Sequence, residues 1–162
     1  MIPKIRNALV FIFINACFAY GQTNKTYPPG DYSIDSLEVE KLCKPEYVLE
    51  YYQVASKNAN SSPQILNEWK SVFKKPADFK QSGFLTIRFV VNCRLELCCF
   101  HTYQMDEKYQ PIEFDEGVKT QLIAFIKTVN GWKSGKYKDE PINYFYYLNF
   151  VIKNGEFKRV SP

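Results

Sequence analysis

The hydrophobic pattern from residue 83 to residue 105 predicts the centre of a β-sheet. Apolar side chains alternate with Thr86 and Arg88 along Phe84–Val91, as they do in a strand with one buried face; the inward set is Leu85, Ile87, Phe89 and Val91. Asn92–Leu95 then reverse the chain, so residues 96–105 can return as an antiparallel partner. We expect the flanking segments to pack on this hairpin.

Two segments have the apolar spacing of amphipathic helices. Ser62-Pro63 supplies an N-cap followed by a proline at the first helical position, and Pro76 ends that helix. Asp115 can cap a second helix, which Gly131 ends as a C′ residue. The predicted buried positions are Ile65, Leu66, Trp69, Val72 and Phe73 in the first helix and Val118, Leu122, Phe125, Ile126 and Val129 in the second.

The C-terminal part of the chain predicts a second hairpin. Ile142–Lys153 alternates in the manner of a strand, Asn154-Gly155 is a strong two-residue turn signal, and Glu156–Val160 can return as a last strand. The period of residues 47–54 fits either a strand or two helical turns, and we favour the helix. The predicted fold is α+β, an antiparallel sheet with two helices on one face in the order α-β-β-α-β-β, plus an N-terminal extension.

The first 21 residues have the pattern of an export signal. Lys4 and Arg6 precede the apolar run Ala8–Ile14, and small residues at positions 19 and 21 suit cleavage before residue 22. An uncleaved anchor is one alternative. Another is a lipoprotein, because residues 14–17 are similar to a lipobox that would lipidate Cys17. We therefore expect an exported, periplasmic or secreted protein, held to a membrane only if Cys17 is lipidated.

Length and charge narrow the function classes further. The chain has 162 residues and is 17% aromatic, which favours one globular domain. We place the signal at residues 1–21, the extension at 22–61 and the domain at 62–162. The net charge of +4 falls to +2 when Lys4 and Arg6 are removed with the signal. Without a cluster of Lys and Arg, this balance argues against a nucleic-acid partner.

The cysteines are interpreted as disulfide formers because export leads to an oxidising compartment. We favour a bridge between Cys43 and Cys93, and a bridge from Cys98 or Cys99 to Cys43 stays open. Adjacent cysteines in a regular strand point to opposite faces and rarely bond to each other. A metal site is disfavoured because the chain has a single histidine and no Cys-x-x-Cys pair.

No pattern in the sequence predicts catalysis. His101 would share a strand face with Cys99 but not with Cys98, and a nucleophile pair also needs an orienting third group. A glycine-rich phosphate loop and a GxSxG elbow are both missing from the sequence. We expect a protein that is not an enzyme and has no cofactor.

Residues 63–162 resemble the C-terminal domain of TonB-like periplasmic proteins. The resemblance rests on Gly83–Asn92, on the helix that ends before Gly131-Trp132, and on Tyr147–Gly155. The sequence departs from that pattern where Leu95 replaces a turn glycine, Ser134 replaces a proline and Asp139 replaces a glycine. It also has no long Pro-rich spacer of the kind that energy-transducing members use to cross the periplasm.

The resemblance implies binding of an envelope protein, or another extended peptide segment, along a sheet edge, with a link to TonB-dependent transport. In that mode main-chain hydrogen bonds give affinity and side-chain pockets give selectivity. The implied binding residues are Tyr144, Phe145, Tyr147, Asn149 and Val151. Either a partner or the N-terminal extension would cover this apolar face; if Glu156–Val160 pairs with the same strand, the free edge lies elsewhere. The alternatives are a secreted ligand-binding protein or enzyme with an aromatic pocket, and a homodimeric envelope protein.

Overall fold

The computed structural model describes residues 36–43, 48–55 and 61–162, all within the compact unit Ser33–Pro162. The predicted signal at residues 1–21 and Cys17 lie outside the described residues. Within the described ranges the chain forms one six-stranded sheet and two α-helices. The strands are β1 (Val48–Glu50), β2 (Gly83–Val91), β3 (Leu97–Met105), β4 (Gly135–Tyr137), β5 (Glu140–Lys153) and β6 (Glu156–Ser161), and the helices are α1 (Ser62–Val72) and α2 (Glu116–Thr128).

The sheet is mixed rather than purely antiparallel. Its main order is β1-β5-β2-β3, and β4 and β6 also pair with β5. The antiparallel prediction fails only at β1, which runs parallel to β5 with Val48 opposite Asn143. The helix favoured for residues 47–54 is wrong, since β1 is followed by a short 3₁₀ helix, Tyr51–Gln53. Pairing with β5 overrides the ambiguous local pattern, and it makes part of the predicted extension a strand of the sheet.

Both predicted helices are confirmed, with small shifts at their ends, but Val72 of the first helix, predicted to be buried, is 55% exposed. The first is capped by Ser61 rather than Ser62, and the Ser61 hydroxyl accepts a hydrogen bond from the Gln64 N–H at 3.4 Å. Asp115 caps the second helix, accepting from the Val118 N–H at 2.9 Å. The helix already ends at Thr128, with Val129 as C-cap. Gly131 is therefore the C″ residue and not the predicted C′ residue.

The main core lies between the helices and one face of the sheet, as predicted. The inward residues of β2 and β5 pack there with α1 and α2. Trp69 of α1 stacks on Phe73 and makes an edge contact with Phe157 of β6, with ring centroids 5.2 Å apart. Helices on one face leave the opposite face of the sheet, called the outer face below, to be covered by other means.

Two tight turns flank β5. Asn154 and Gly155 both have positive φ, at 51° and 72°, which confirms the predicted hairpin between β5 and β6. A Cβ at residue 155 would collide with the Phe79 carbonyl, so glycine is required there. Lys138 and Asp139, at 51° and 65°, form a second such turn between β4 and β5 that the sequence did not signal.

Candidate functional site

The five residues implied as a binding edge do not lie on a sheet edge. Their strand, β5, pairs with β2 from Tyr144 to Ile152 on one side and with β1 and β6 on the other. The strand-edge prediction is therefore wrong for Tyr144, Phe145, Asn149 and Val151, which have ladder partners on both sides of β5, while Tyr147 pairs with β2 and lies in the short gap between the β1 and β6 pairings. Whether their side chains contact a partner stays a prediction.

Strand alternation places these five residues on two faces. Tyr144 lies on the helix side, where it is buried and its hydroxyl donates to the Lys133 carbonyl at 2.8 Å. The other four lie on the outer face. Asn149 accepts a hydrogen bond from the Thr86 hydroxyl at 2.5 Å across the β2–β5 pair.

Phe145 is covered by the N-terminal segment. It packs against a cluster on the outer face formed by Val39, Leu42, Val48, Val90, Cys98 and Cys99. The Arg88 guanidinium lies 3.8 Å above its ring and pairs with Glu50 at 2.6 Å. For Phe145, this packing supports the alternative in which the extension, rather than a partner, covers the apolar face.

Tyr147 interacts with the 3₁₀ helix that follows β1. Its ring lies 5.4 Å from that of Tyr51 in an edge-on arrangement. The hydrogen bond between the two phenols, followed by burial and the negative charge of Glu50, raises the pKa of Tyr147 to about 12. On the outer face of β5, Phe145, Tyr147 and Asn149 therefore make contacts within the chain.

Residues 41–43 are fixed to the domain by a disulfide and by side-chain hydrogen bonds. A disulfide joins Cys43 to Cys93, with Cα atoms 6.1 Å apart, which confirms the favoured pairing. The Cys43 N–H donates to the buried Asn143 side chain at 3.1 Å. Asn92, also buried, donates to the Lys41 carbonyl at 2.8 Å. Neither asparagine was predicted from the sequence to anchor this segment, although buried side-chain amides usually make hydrogen bonds of this structural kind.

Asn92 also organises the turn between β2 and β3. Its side-chain oxygen accepts from the backbone N–H groups of Arg94 and Glu96, at 2.9 Å each. Its amide nitrogen donates to the Glu96 carboxylate at 2.8 Å. That hydrogen bond, with a further one from Arg94, holds the pKa of Glu96 below its usual value.

Among the described strands β3 is the outermost on one side of the sheet, and part of its edge pairs with none of the described residues. Gln104 turns its carbonyl away from β2, since it accepts from the Ile112 N–H at 3.3 Å. Backbone direction alternates along a strand, so Thr102 and Phe100 also turn their N–H and C=O groups outward. Phe100 follows this alternation although it is next to the bulge, because its ring lies on the helix side of the sheet, where it stacks on the core residue Phe89. Among the described residues, no backbone group bonds to the outward groups of Thr102.

A cavity of about 460 Å³ lies beside the start of β3. It is lined by the β2–β3 turn, by Leu97, by Lys127 near the C-terminal end of α2 and by the residues after that helix, up to Trp132. Lys127 also lies 4.9 Å from the Phe100 ring, which connects the cavity to the open edge. Trp132 is its only aromatic lining residue, so this cavity differs from the predicted aromatic pocket.

Cys98 and Cys99 do not point to opposite faces as the regular pattern predicts. The β2–β3 register shifts between Arg88 and Val90, and Cys99 has a φ of 57° at this bulge. Both thiols therefore lie in the outer-face cluster. His101, on the same face, makes an edge contact with Tyr103 at 4.7 Å. Within the described residues no group of three His, Cys, Asp or Glu side chains could hold a metal ion.

Comparison with protein families, with curated proteins and with solved structures gives no match in any of the three. In the part of the chain that the structure describes, no helix is long and apolar enough to cross a membrane. The function is therefore argued from the sequence and the geometry of this chain.

Proposed function

We propose that this protein is a non-catalytic interaction module that binds an extended peptide segment of an envelope protein by adding it to the outer edge of β3. The observation that carries the proposal is the outward backbone of Thr102, which has no backbone partner among the described residues. A strand added there would satisfy these groups and extend the sheet.

The composition of β3 favours this edge over that of β6. Leu97–Met105 contains no Asp, Glu, Lys or Arg. In contrast, β6 is six residues long, has a register irregularity and carries the exposed charges of Glu156, Lys158 and Arg159. Charges and bulges on an edge strand discourage pairing with another chain. The uncharged edge of β3 is thus the better acceptor. Its register is irregular as well, and the bulge at Cys99 and the pairing of Pro111 with Met105 limit the open part to about residues 100–103.

The cavity beside β3 would supply selectivity. An added strand presents alternate side chains to the helix side and to the outer face of the sheet. A side chain on the helix side would meet Lys127 and the cavity that Trp132 and Leu97 line. We expect an acidic or polar residue near Lys127 and an apolar residue in the cavity. The alternative function is binding of a small ligand or substrate. Such a molecule would occupy the same cavity without hydrogen bonding to the edge of β3.

The resemblance to TonB C-terminal domains supports strand addition, and a link to TonB-dependent transport is part of this proposal. Export is proposed from the pattern of residues 1–21. The Cys43–Cys93 disulfide supports it, since such bonds persist in oxidising compartments.

Selection of binders from a random peptide display library tests the proposal. Thr102→Pro removes the outward N–H and introduces a ring that an added strand would meet, while leaving the bonds to β2 in place. Thr102→Val keeps the N–H and serves as the matched control. We expect peptides selected on the parent protein to bind Thr102→Pro at least about tenfold more weakly and Thr102→Val with little change. Circular dichroism and a thermal melt would establish that both variants fold.

Backbone amide exchange in the complex identifies where the peptide lies. Strand addition requires the Thr102 amide to become protected when the peptide binds. Equal binding to all three proteins, or protection confined to residues around Trp132, would contradict the edge and favour a small-ligand cavity. Reversible self-association that Thr102→Pro abolishes would instead identify a second copy of the chain as the added strand.

A further inference from the structure

Two adjacent cysteine side chains approach each other closely. The Cys99 thiol donates to the Cys98 sulfur with the two Sγ atoms 3.3 Å apart, and both residues are buried. In a regular strand consecutive side chains project to opposite faces. The bulge and the positive φ of Cys99 bring the second thiol to the side of the first. A left-handed backbone is unfavourable for a residue other than glycine, so the rest of the fold must maintain it.

The pair lies in a hydrophobic cluster of the described residues. Leu42 and Val90 complete the buried cluster, with Val39, Val48 and Phe145 packed around it. Of the two cysteines, Cys99 retains 7% of its exposure and Cys98 none, so a reagent reaches Cys99 first.

We propose that Cys98 and Cys99 form a redox couple that closes to a disulfide between adjacent residues by exchange with an external disulfide. The co-reactant is a low-molecular-weight disulfide or the disulfide of a thiol oxidoreductase. The Cys43–Cys93 bond already present in the chain shows that this sequence supports a disulfide elsewhere. The proposal does not depend on strand addition at β3.

The exchange balances in two steps. The Cys99 thiolate, having lost its proton to solvent, attacks one sulfur of the external disulfide and releases the other as a thiolate. Cys98, after losing its own proton to solvent, then attacks the Cys99 sulfur of the mixed disulfide as a thiolate, forming the Cys98–Cys99 bond and releasing the second external thiolate. Both released thiolates take up protons, so two thiols of the protein are oxidised and one external disulfide is reduced to two thiols.

The expected bond is easily reversed. Consecutive Cα atoms are about 3.8 Å apart, whereas disulfide-bonded cysteines usually have Cα atoms separated by about 4.4 to 6.8 Å. A disulfide between adjacent residues is therefore strained, and strained disulfides are the more readily reduced ones. This lability separates the couple from the Cys43–Cys93 bond, which has a Cα separation of 6.1 Å within the usual range.

The Cys43–Cys93 bond also controls access to the couple. It holds residues 41–43 against the domain, and Leu42 of this segment packs directly in the cluster that contains Cys98 and Cys99. Breaking the bond loosens this cover. We expect exchange at Cys99 to be at least about tenfold faster in a variant with Cys43→Ser and Cys93→Ser, because local opening then requires less free energy.

Peptide mass spectrometry tests the proposal on the unmodified protein. Trypsin cleaves after Arg94 and Lys108, so one peptide holds Cys98 and Cys99 and no other cysteine. The protein is equilibrated with mixtures of reduced and oxidised glutathione, quenched with acid, alkylated and digested. We expect this peptide to appear without alkyl groups and lighter by two hydrogen atoms in oxidising mixtures, and doubly alkylated in reducing ones.

Single variants then test the order of the steps. Cys98→Ser should accumulate a glutathione adduct on Cys99, and Cys99→Ser should react at least about tenfold more slowly at the fully buried Cys98. Double alkylation of the parent peptide at every glutathione ratio would overturn the proposal. So would two separate glutathione adducts, or a bond from this peptide to Cys43 or Cys93.

Discussion

The Asn143 side chain, buried on β5, accepts a hydrogen bond from the Cys43 backbone N–H at 3.1 Å. This contact joins residues far apart in sequence and lies near the point where β1 begins its parallel pairing with β5 at Val48. Together with Asn92 and the Cys43–Cys93 bond, it makes the segment before β1 an integral part of the fold.

We expect Asn143→Ala to lower the free energy of unfolding by about 1 to 3 kcal/mol, because the Cys43 N–H loses its acceptor in a partly buried place. Urea denaturation followed by fluorescence measures this change. Asn67→Ala, at an exposed position of α1, is the control and should change stability by less than about 0.5 kcal/mol. Equal effects of the two substitutions would show that Asn143 does not fix the segment.

Loss of the Cys43–Cys93 disulfide should destabilise the protein by up to about 4 kcal/mol, since the bond closes a long loop in the unfolded chain. The two cysteines are 50 positions apart in sequence. Paired Cys43→Ser and Cys93→Ser substitutions, compared with the parent protein by urea denaturation, give the value. A double variant as stable as the parent would mean that the two asparagines hold residues 41–43 without the bond.

Replacement of Leu95 by glycine should stabilise the protein. Leu95 has a φ of 67°, a left-handed conformation, and its side chain is 47% exposed. Relief of this strain should raise the free energy of unfolding by about 1 kcal/mol. The greater entropy of glycine in the unfolded chain should offset part of that gain. A thermal melt of Leu95→Gly beside Leu95→Ala separates backbone strain from loss of the side chain. If glycine and alanine have the same effect, the turn is not strained at this residue.

The stability of the protein should fall between about pH 10 and pH 12 through Tyr147. Its pKa is raised to about 12 from the usual tyrosine value of 10.0, first by the hydrogen bond with Tyr51. Between these values the unfolded chain has lost the phenol proton and the folded chain still binds it, so rising pH favours unfolding. Tyr147→Phe should flatten this decline, and it should remove one late-titrating tyrosine from the tyrosinate absorbance titration of the parent. Identical slopes for parent and variant would contradict the Tyr51–Tyr147 hydrogen bond.

Much of the fold follows from local patterns in the sequence. Alternation defined β2 and β5, the Asn154-Gly155 turn defined the last hairpin, and cap residues located both helices to within a few positions. These features depend on residues near each other in the chain. The parallel pairing of β1 could not be inferred in this way, because Val48 and Leu49 take their conformation from the distant β5.

The site was harder to predict for a related reason. Phe145 and Tyr147 look exposed when β5 is considered alone, and only tertiary contacts with Val48 and Tyr51 cover them. The bulge at Cys99 has no glycine to signal it, so the alternation rule assigned Cys98 to the wrong face. The available signal for the anchoring contacts was an Asn within or directly after a strand of apolar residues, as at Asn143 in β5 and Asn92 after β2.

Amide hydrogen exchange along β3 in the unliganded protein tests the central claim, that this edge is open, most directly. The His101 and Tyr103 amides face β2, and the Thr102 amide faces outward. We predict alternating protection, with Thr102 exchanging at least about 100-fold faster than both neighbours. Protection of Thr102 equal to that of its neighbours would show that the edge is already paired, and would contradict strand addition at β3.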